Sequence, residues 1–107
     1  MARISTHVLD IAKGAPASGI AVELSSGGHL IRSARTNSDG RTDAPLLTGE
    51  RIAAGPYELV FHVQDYLPAE PRFFDRITIR FTVTDEKANY HVPLLLAPHG
   101  YSTYRGS

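Results

Sequence analysis

Two histidines in this chain carry the side chain best suited to proton transfer near neutral pH. His7 lies in the alternating segment Ile4–Asp10, on the face opposite the apolar one. That placement predicts an imidazole that is exposed or lines a groove, and an ordinary surface histidine is the competing interpretation. His91 lies in the apolar run Tyr90–Leu96, where it is either a hydrogen-bonded core residue or a desolvated base. Desolvation would lower the pKa of the imidazole and keep the ring neutral, as a general base requires.

One arginine follows the strongest turn signal in the chain. Arg41 comes directly after Asn37–Gly40, and Asn, Asp and Gly are the residues that turns favour because they tolerate positive φ. A guanidinium held by such a turn could bind a carbonyl-rich or anionic ligand through two hydrogen bonds. The alternative is an exposed loop arginine without a ligand.

The terminal segment Tyr101–Ser107 is also rich in side chains that could bind a ligand. It contains two tyrosines, three serine or threonine residues and one arginine. We expect this segment to be ordered.

Other catalytic patterns are missing from the sequence. There is no GxSxG nucleophile elbow, no phosphate-binding glycine loop and no HExxH metal motif. The five histidines form no pair at the spacing that strands or helices use to share a metal ion, so we predict no metal site.

The elements that must position these residues are short strands. Nine glycines and seven prolines divide the chain, and no long segment is apolar at the helical period. Alternating or short apolar runs between turns favour an all-β sandwich or barrel. The predicted strands are Ile4–Asp10, Ile20–Leu24, His29–Thr36, Leu46–Glu50, Tyr57–Val63, Ile77–Thr84, Tyr90–Leu96 and Tyr101–Arg105, with a loop at Gly14–Gly19.

Composition excludes several classes of protein. The 107 residues suit one domain, which we place at residues 1–107. Eleven basic residues balance eleven acidic ones, which argues against nucleic acid or a membrane surface as the partner. The chain has no cysteine, so a disulfide framework, a thiolate metal site and a thiol nucleophile are excluded.

The N-terminal segment shows no uninterrupted apolar stretch of the kind that signal peptides use. The longest apolar run, Val92–Pro98, is too short to cross a bilayer. We therefore expect a cytoplasmic protein, with an exported form that has lost its leader as the alternative.

Four segments together resemble one known family. They are Ser5–Asp10, the turn Asp39–Arg41, Tyr90–Leu96 and the terminal Tyr101–Ser107. In order and spacing they resemble the transthyretin-related 5-hydroxyisourate hydrolases, from about Ile4 to the last residue. The final Tyr-Arg-Gly-Ser is the most specific part, since it resembles the signature that separates the hydrolases from transthyretin, a hormone carrier with the same fold.

The resemblance implies a fold and an assembly. The fold would be a transthyretin-like sandwich of two four-stranded antiparallel sheets with one short helix, here within Gln64–Glu70. Chains would pair edge to edge, and two dimers would form a homotetramer with active sites in the grooves between dimers. Such pairing would also cover strand edges that otherwise invite aggregation.

The resemblance also implies a reaction and its residues. The enzyme would hydrolyse 5-hydroxyisourate to 2-oxo-4-hydroxy-4-carboxy-5-ureidoimidazoline in purine degradation, without a cofactor. The family's catalytic histidines fall on His7 and His91, its arginine on Arg41 and its terminal serine on Ser107. One histidine would activate water, directly or through the serine hydroxyl, and the arginine would stabilise the oxyanion. The implied substrate-binding residues are His7, Arg41, His91, Tyr104, Arg105 and Ser107.

Two positions depart from the family pattern. The family often has His-Tyr-His where this chain has Asn89-Tyr90-His91, and it often has proline where this chain has Asp75. Two other functions compete with the hydrolase. A transthyretin-like binding protein should lack one of the catalytic residues, and a generic β-sandwich module should have no use for an ordered Tyr-Arg-Gly-Ser end.

Overall fold

Two β-sheets packed face to face make up the structure, a computed structural model that describes residues 1–67 and 73–107. The strands are β1 (Ala2–Asp10), β2 (Ala15–Pro16), β3 (Ala21–Ser26), β4 (His29–Arg35), β5 (Leu47–Gly49), β6 (Gly55–His62), β7 (Ile77–Val83), β8 (Asn89–Ala97) and β9 (Gly100–Thr103). The predicted strands agree with these bounds to within a few residues. The exception is β2, a two-residue strand inside the predicted loop Gly14–Gly19, which pairs with the end of β1.

The strand order agrees with the expected two-sheet sandwich and corrects two details of it. The second sheet has the expected four antiparallel strands, in the order β4-β3-β6-β7. The first sheet has the order β2-β1-β8-β9, with β5 as a fifth strand beside the start of β1. It also contains one parallel pair, β1 with β8. Strands far apart in sequence can pair in parallel because the chain between them crosses over.

The expected helix is represented by a single 3-10 turn at Val63–Asp65. It begins one residue before the predicted segment Gln64–Glu70, whose last three positions lie outside the described residues. Over the described ranges, no helix is long and apolar enough to cross a membrane.

Alternation along β1, and along β8 except at the buried Pro93, separates the core from the functional face. Ile4 and Val8 are fully buried between the sheets, and Leu94 and Leu96 of β8 are buried beside them. Phe61 of the second sheet is also fully buried. Because successive side chains on a strand point to opposite faces, the residues between these apolar positions lie on the outer face of the first sheet. The predicted faces of both strands are confirmed.

Candidate active site

A polar groove of about 530 Å³ lies on the outer face of the first sheet. Its walls come from β1, from β8, from the turn before Arg41 and from the terminal segment. The lining residues are Arg3, Ser5, His7, Arg41, Asn89, His91, Tyr104, Gly106 and Ser107. The groove therefore collects basic, amide and hydroxyl side chains from four separate parts of the chain.

The parallel pairing of β1 with β8 brings the two halves of the site together. In this register Ser5 pairs with His91, and His7 pairs with Pro93. The Ser5 hydroxyl and the His91 Nδ1 lie 2.9 Å apart, at hydrogen-bond distance. When the hydroxyl accepts the Nδ1 proton, the lone pair of the ring lies on Nε2. The contact with Ser5 therefore orients the His91 ring and is compatible with a free lone pair on Nε2.

The electrostatic surroundings of His91 favour a neutral ring. Burial lowers the pKa of His91 below its ordinary value, and the positive charge of Arg41 lowers it further. His7 and Arg3 act in the same direction with smaller effects. Each of these causes penalises the imidazolium form. The ring is therefore an available proton acceptor at neutral pH, so the geometry favours the desolvated-base interpretation over that of a simple core histidine.

Arg41 is held beside His7 by the turn that precedes it. The Asn37 side-chain oxygen accepts hydrogen bonds from the backbone N–H groups of Asp39 and Arg41. Gly40 adopts a positive φ of 75°, and its carbonyl accepts a hydrogen bond from the N–H of Val8 at 2.8 Å. A side chain at Gly40 would collide with the Val8 carbonyl and crowd the His7 ring. The turn thus requires glycine both for its conformation and for close approach to β1.

The terminal segment closes over His91. The N–H of Gly106 donates to the carbonyl of His91 at 2.8 Å, and the two residues form a β-bridge. A Cβ added at Gly106 would lie 2.5 Å from Cδ2 of His91, so only glycine allows this approach. Ser107 and Tyr104 line the groove on either side of this bridge along the chain. The segment is ordered, as expected.

Arg105 holds that segment in place from outside the groove. Its guanidinium donates to the carbonyl of Asn89 at 3.2 Å and lies 4.4 Å from the centre of the Tyr90 ring. The family resemblance implies that Arg105 binds the substrate. However, Arg105 is not among the residues that line the groove. The contacts that the structure shows for it are with β8 and support the terminal segment.

The structure therefore gathers five of the six predicted site residues on one groove: His7, Arg41, His91, Tyr104 and Ser107. It adds four that the sequence analysis did not assign, Arg3, Ser5, Asn89 and Gly106. The signal for Arg3 and Ser5 was present, because they share the alternating face of β1 with His7. Asn89 lies on the same face of β8 as His91, but the sequence analysis treats it only as a departure from the family's His-Tyr-His pattern.

Across residues 1–67 and 73–107, no three histidine, aspartate or glutamate side chains lie close enough together to bind a metal ion. The groove has the donors for organic carbonyl or anionic groups instead, with two arginines and two imidazoles among its walls.

Comparison with known proteins identifies the family. Residues 4–106 match the model of the HIUase/Transthyretin family. The chain belongs to that family. The 5-hydroxyisourate hydrolase 2 of Rhizobium meliloti is 50% identical to it, over 98% of this chain and 96% of that protein.

Solved structures of the HIUase/Transthyretin family share the fold. The 5-hydroxyisourate hydrolase of Klebsiella pneumoniae superposes with a TM-score of 0.89 and 37% identity, over all of both chains. The transthyretin of Sparus aurata superposes with a TM-score of 0.85 and 25% identity, over 97% of this chain and 96% of that one. Fold similarity thus extends to both branches of the family, while sequence identity is higher with the hydrolases.

Proposed function

We propose that this protein is a hydrolase of purine degradation that opens the ring of 5-hydroxyisourate. The product would be 2-oxo-4-hydroxy-4-carboxy-5-ureidoimidazoline, and no cofactor would take part. The observation that carries the proposal is the convergence of His7, Arg41, His91 and Ser107 on one groove. The relatives named 5-hydroxyisourate hydrolase, at 50% identity over nearly the whole chain, support the same reaction.

His91 is the general base in this proposal. Its Nδ1 is engaged by Ser5, and its Nε2 has no hydrogen-bond partner among the described residues. The lowered pKa favours the neutral ring. In the tautomer that carries its proton on Nδ1, the Nε2 lone pair can take a proton from water, either directly or through the Ser107 hydroxyl. A positioned base of this kind contributes roughly 10²–10⁴ in rate.

Arg41 and His7 act on the substrate in this proposal. The activated water adds its oxygen to the ring carbonyl carbon, and negative charge develops on the carbonyl oxygen. Arg41 stabilises that charge, because its guanidinium is unpaired among the described residues and its backbone is fixed by the turn. The carbon–nitrogen bond then breaks, the nitrogen receives the proton taken from water, and a carboxylic acid remains. His7 lies on the neighbouring strand and holds the carbonyl-rich ring.

The proposal includes the homotetramer of a single-domain chain, residues 1–107, in the cytoplasm. Two sheet edges, β7 and β9, carry no further strand within the described part of the chain. Between them lies a mostly apolar hollow of about 330 Å³, lined by residues of both strands and by Tyr90, Tyr104 and Arg105. Unpaired edges beside an apolar hollow suit edge-to-edge pairing with a second copy.

The ultraviolet decay of 5-hydroxyisourate, freshly made from urate by urate oxidase, tests the reaction. We expect rapid decay with the wild type and a loss of roughly 10²–10⁴ in turnover for His91→Asn, which removes the base. His7→Asn, which removes a substrate contact, should also slow the decay. His62→Asn is the matched control, because this strand histidine lies on the other sheet and is bonded to Glu23.

Two outcomes would contradict the proposal. Decay at the spontaneous rate with a folded wild-type protein would favour a transthyretin-like binding protein, and ligand screening would follow. Full activity of His91→Asn would remove His91 as the base while leaving the hydrolase intact.

A further inference from the structure

Two arginines line the groove, and the mechanism above uses only one of them. The guanidinium groups of Arg3 and Arg41 form no ion pair or side-chain hydrogen bond with any residue in 1–67 or 73–107. Four other arginines in the described residues do have side-chain partners: Arg51 and Arg80 pair with glutamates, and Arg35 and Arg105 donate to backbone carbonyls. A groove that keeps two guanidiniums unpaired is prepared for a ligand with acceptor atoms at two places.

Arg3 occupies a defined place relative to the proposed base. It pairs in register with Asn89, one step along the sheet from the pair formed by Ser5 and His91. Two residues along a strand correspond to about 7 Å. The side chain of Asn89 also has no hydrogen-bond partner among the described residues. Beyond the histidines the groove therefore continues into a second polar end, with one positive charge and one neutral amide.

A smaller hollow adjoins this end. It has a volume of about 220 Å³ and shares Arg3, Ser5 and Arg41 with the groove, while its far wall is the segment 42–45. Asp43 on that wall accepts a hydrogen bond from the Asn37 side chain at 3.0 Å, so the carboxylate is already engaged. Arg3 thus borders open space on two sides, and its long side chain has room to reach a ligand bound beside His91.

The proposed reaction creates a group that suits this end of the groove. 5-Hydroxyisourate has no carboxylate, whereas its hydrolysis breaks a ring carbon–nitrogen bond and turns the carbonyl carbon into a carboxylic acid. That acid releases its proton to solvent at neutral pH and becomes an anion. One oxygen of this carboxylate is the former carbonyl oxygen, which Arg41 already holds, and the other comes from water. The second oxygen can accept a hydrogen bond from another cation, and Arg3 lines the same groove as Arg41. A charge-assisted, two-point hydrogen bond from arginine is the strongest recognition of a carboxylate that a side chain offers.

We infer that Arg3, with Asn89 beside it, forms a subsite that binds the carboxylate generated by ring opening. This inference rests on the proposed hydrolase function for the identity of the anion. Arg3 is then a ligand-binding residue that acts mainly on the ring-opened product and on stable carboxylates that resemble it. A neutral ligand of the same shape gains nothing from Arg3.

Calorimetric titration with a matched pair of probes tests the subsite directly. Hydantoin-5-acetate carries a ring and a carboxylate, and hydantoin-5-acetamide is its neutral counterpart. We expect the wild type to bind the acetate more tightly than the amide. Arg3→Gln should weaken the acetate by about tenfold, the order expected for one charge-assisted bond, and leave the amide within about twofold. Arg3→Lys should restore part of the lost affinity, since it keeps the charge without the planar fork.

The control is Arg32→Gln, which removes an exposed arginine of β4 that also lacks a side-chain partner within the described ranges. It should match the wild type with both probes. Equal losses for acetate and amide in Arg3→Gln would overturn the subsite, as would unchanged binding of both. Failure of the wild type to distinguish the two probes would overturn it as well.

Turnover of 5-hydroxyisourate by the same preparations separates this inference from the function on which it rests. With the hydrolase active, hydantoin-5-acetate should inhibit competitively, and Arg3→Gln should raise its inhibition constant by about tenfold. If the wild type is active and the inhibition constant is the same in Arg3→Gln, the subsite is refuted and the hydrolase function is not. No turnover, with acetate binding that still depends on Arg3, would refute the hydrolase and leave an anion site of other use.

Discussion

The outer faces of the two sheets carry similar residues, but the charged side chains of the two faces differ in whether they have carboxylate partners. On the second sheet, His62 is bonded to Glu23 at 2.5 Å and Arg80 lies 3.6 Å from Glu58. On the first sheet, no carboxylate of the described residues pairs with either imidazole or either guanidinium of the groove. Histidine and arginine on a strand therefore do not make a site by themselves. What distinguishes the groove is that two unpaired guanidinium groups and two imidazoles line the same cavity.

The difference has a physical basis in solvation and charge. A cation that pairs with a neighbouring carboxylate offers little further attraction to a ligand, and exposed pairs of this kind contribute only about 0–1 kcal/mol to stability. Unpaired cations gathered in a groove repel one another. Burial is the main cause of the lowered pKa of His91, and the positive charge of Arg41 is the next. A carbonyl-rich or anionic ligand relieves that repulsion, so binding and charge stabilisation come from the same arrangement.

The largest effect that would sharpen this comparison is expected from Arg41. Arg41→Gln should lower kcat by roughly 10²–10³, the usual cost of removing one stabiliser of an oxyanion. Arg32→Gln on the second sheet should leave kcat within about twofold, since exposed arginines away from a site are rarely needed. Turnover of both variants in the ultraviolet assay tests this prediction. Equal losses of kcat in the two variants would contradict the proposed difference between the two faces.

A smaller but still large effect is expected where the terminal segment touches His91. Gly106→Ala places a Cβ 2.5 Å from the imidazole, so either the ring or the segment must move. Displacement of a reacting group by about 1 Å can cost on the order of 10²-fold in rate. Gly100→Ala is the matched control, because a Cβ there meets no atom within 4 Å. Wild-type turnover of Gly106→Ala would show that contact between this segment and His91 is not needed for catalysis.

The smallest effect is a shift in pH dependence. In the fold, burial and the charges of Arg41, His7 and Arg3 lower the pKa of His91, so the ring remains neutral at a more acidic pH than free imidazole does. Activity that depends on neutral His91 should fall only as the pH drops below about 6.5, the ordinary histidine value. Arg3→Gln removes a positive charge, so the pKa should rise and the acid limb should move slightly toward neutral pH.

Profiles of kcat/KM against pH for the wild type and Arg3→Gln test this shift, because they report ionisation of the free enzyme. If the acid limb of the wild-type profile gives a pKa at or above the ordinary histidine value, the groove does not lower the pKa of His91 as proposed. A limb that moves to lower pH in Arg3→Gln would contradict the assigned sign of the Arg3 charge.

The alternating pattern of the sequence determined the strands and their faces. Period-two alternation in β1 was enough to place His7 opposite the apolar face. In β8 it separated His91 from Tyr90 and Val92 but left open whether His91 was a core residue. The turn at Asn37–Gly40 could likewise be predicted, since its residues are the ones that accept positive φ. Resemblance to a family then predicted which side chains belong together.

Only the tertiary structure decided how those faces meet. The parallel register of β1 and β8 joins residues 86 positions apart, Ser5 and His91, and no local pattern specifies that pairing. The short strand β2 and the bridge from Gly106 to His91 depend equally on contacts between distant segments. The same pairing of β1 with β8 places Arg3 and Asn89 at the site. Local propensity determines which way a side chain points, whereas long-range strand pairing determines what it faces.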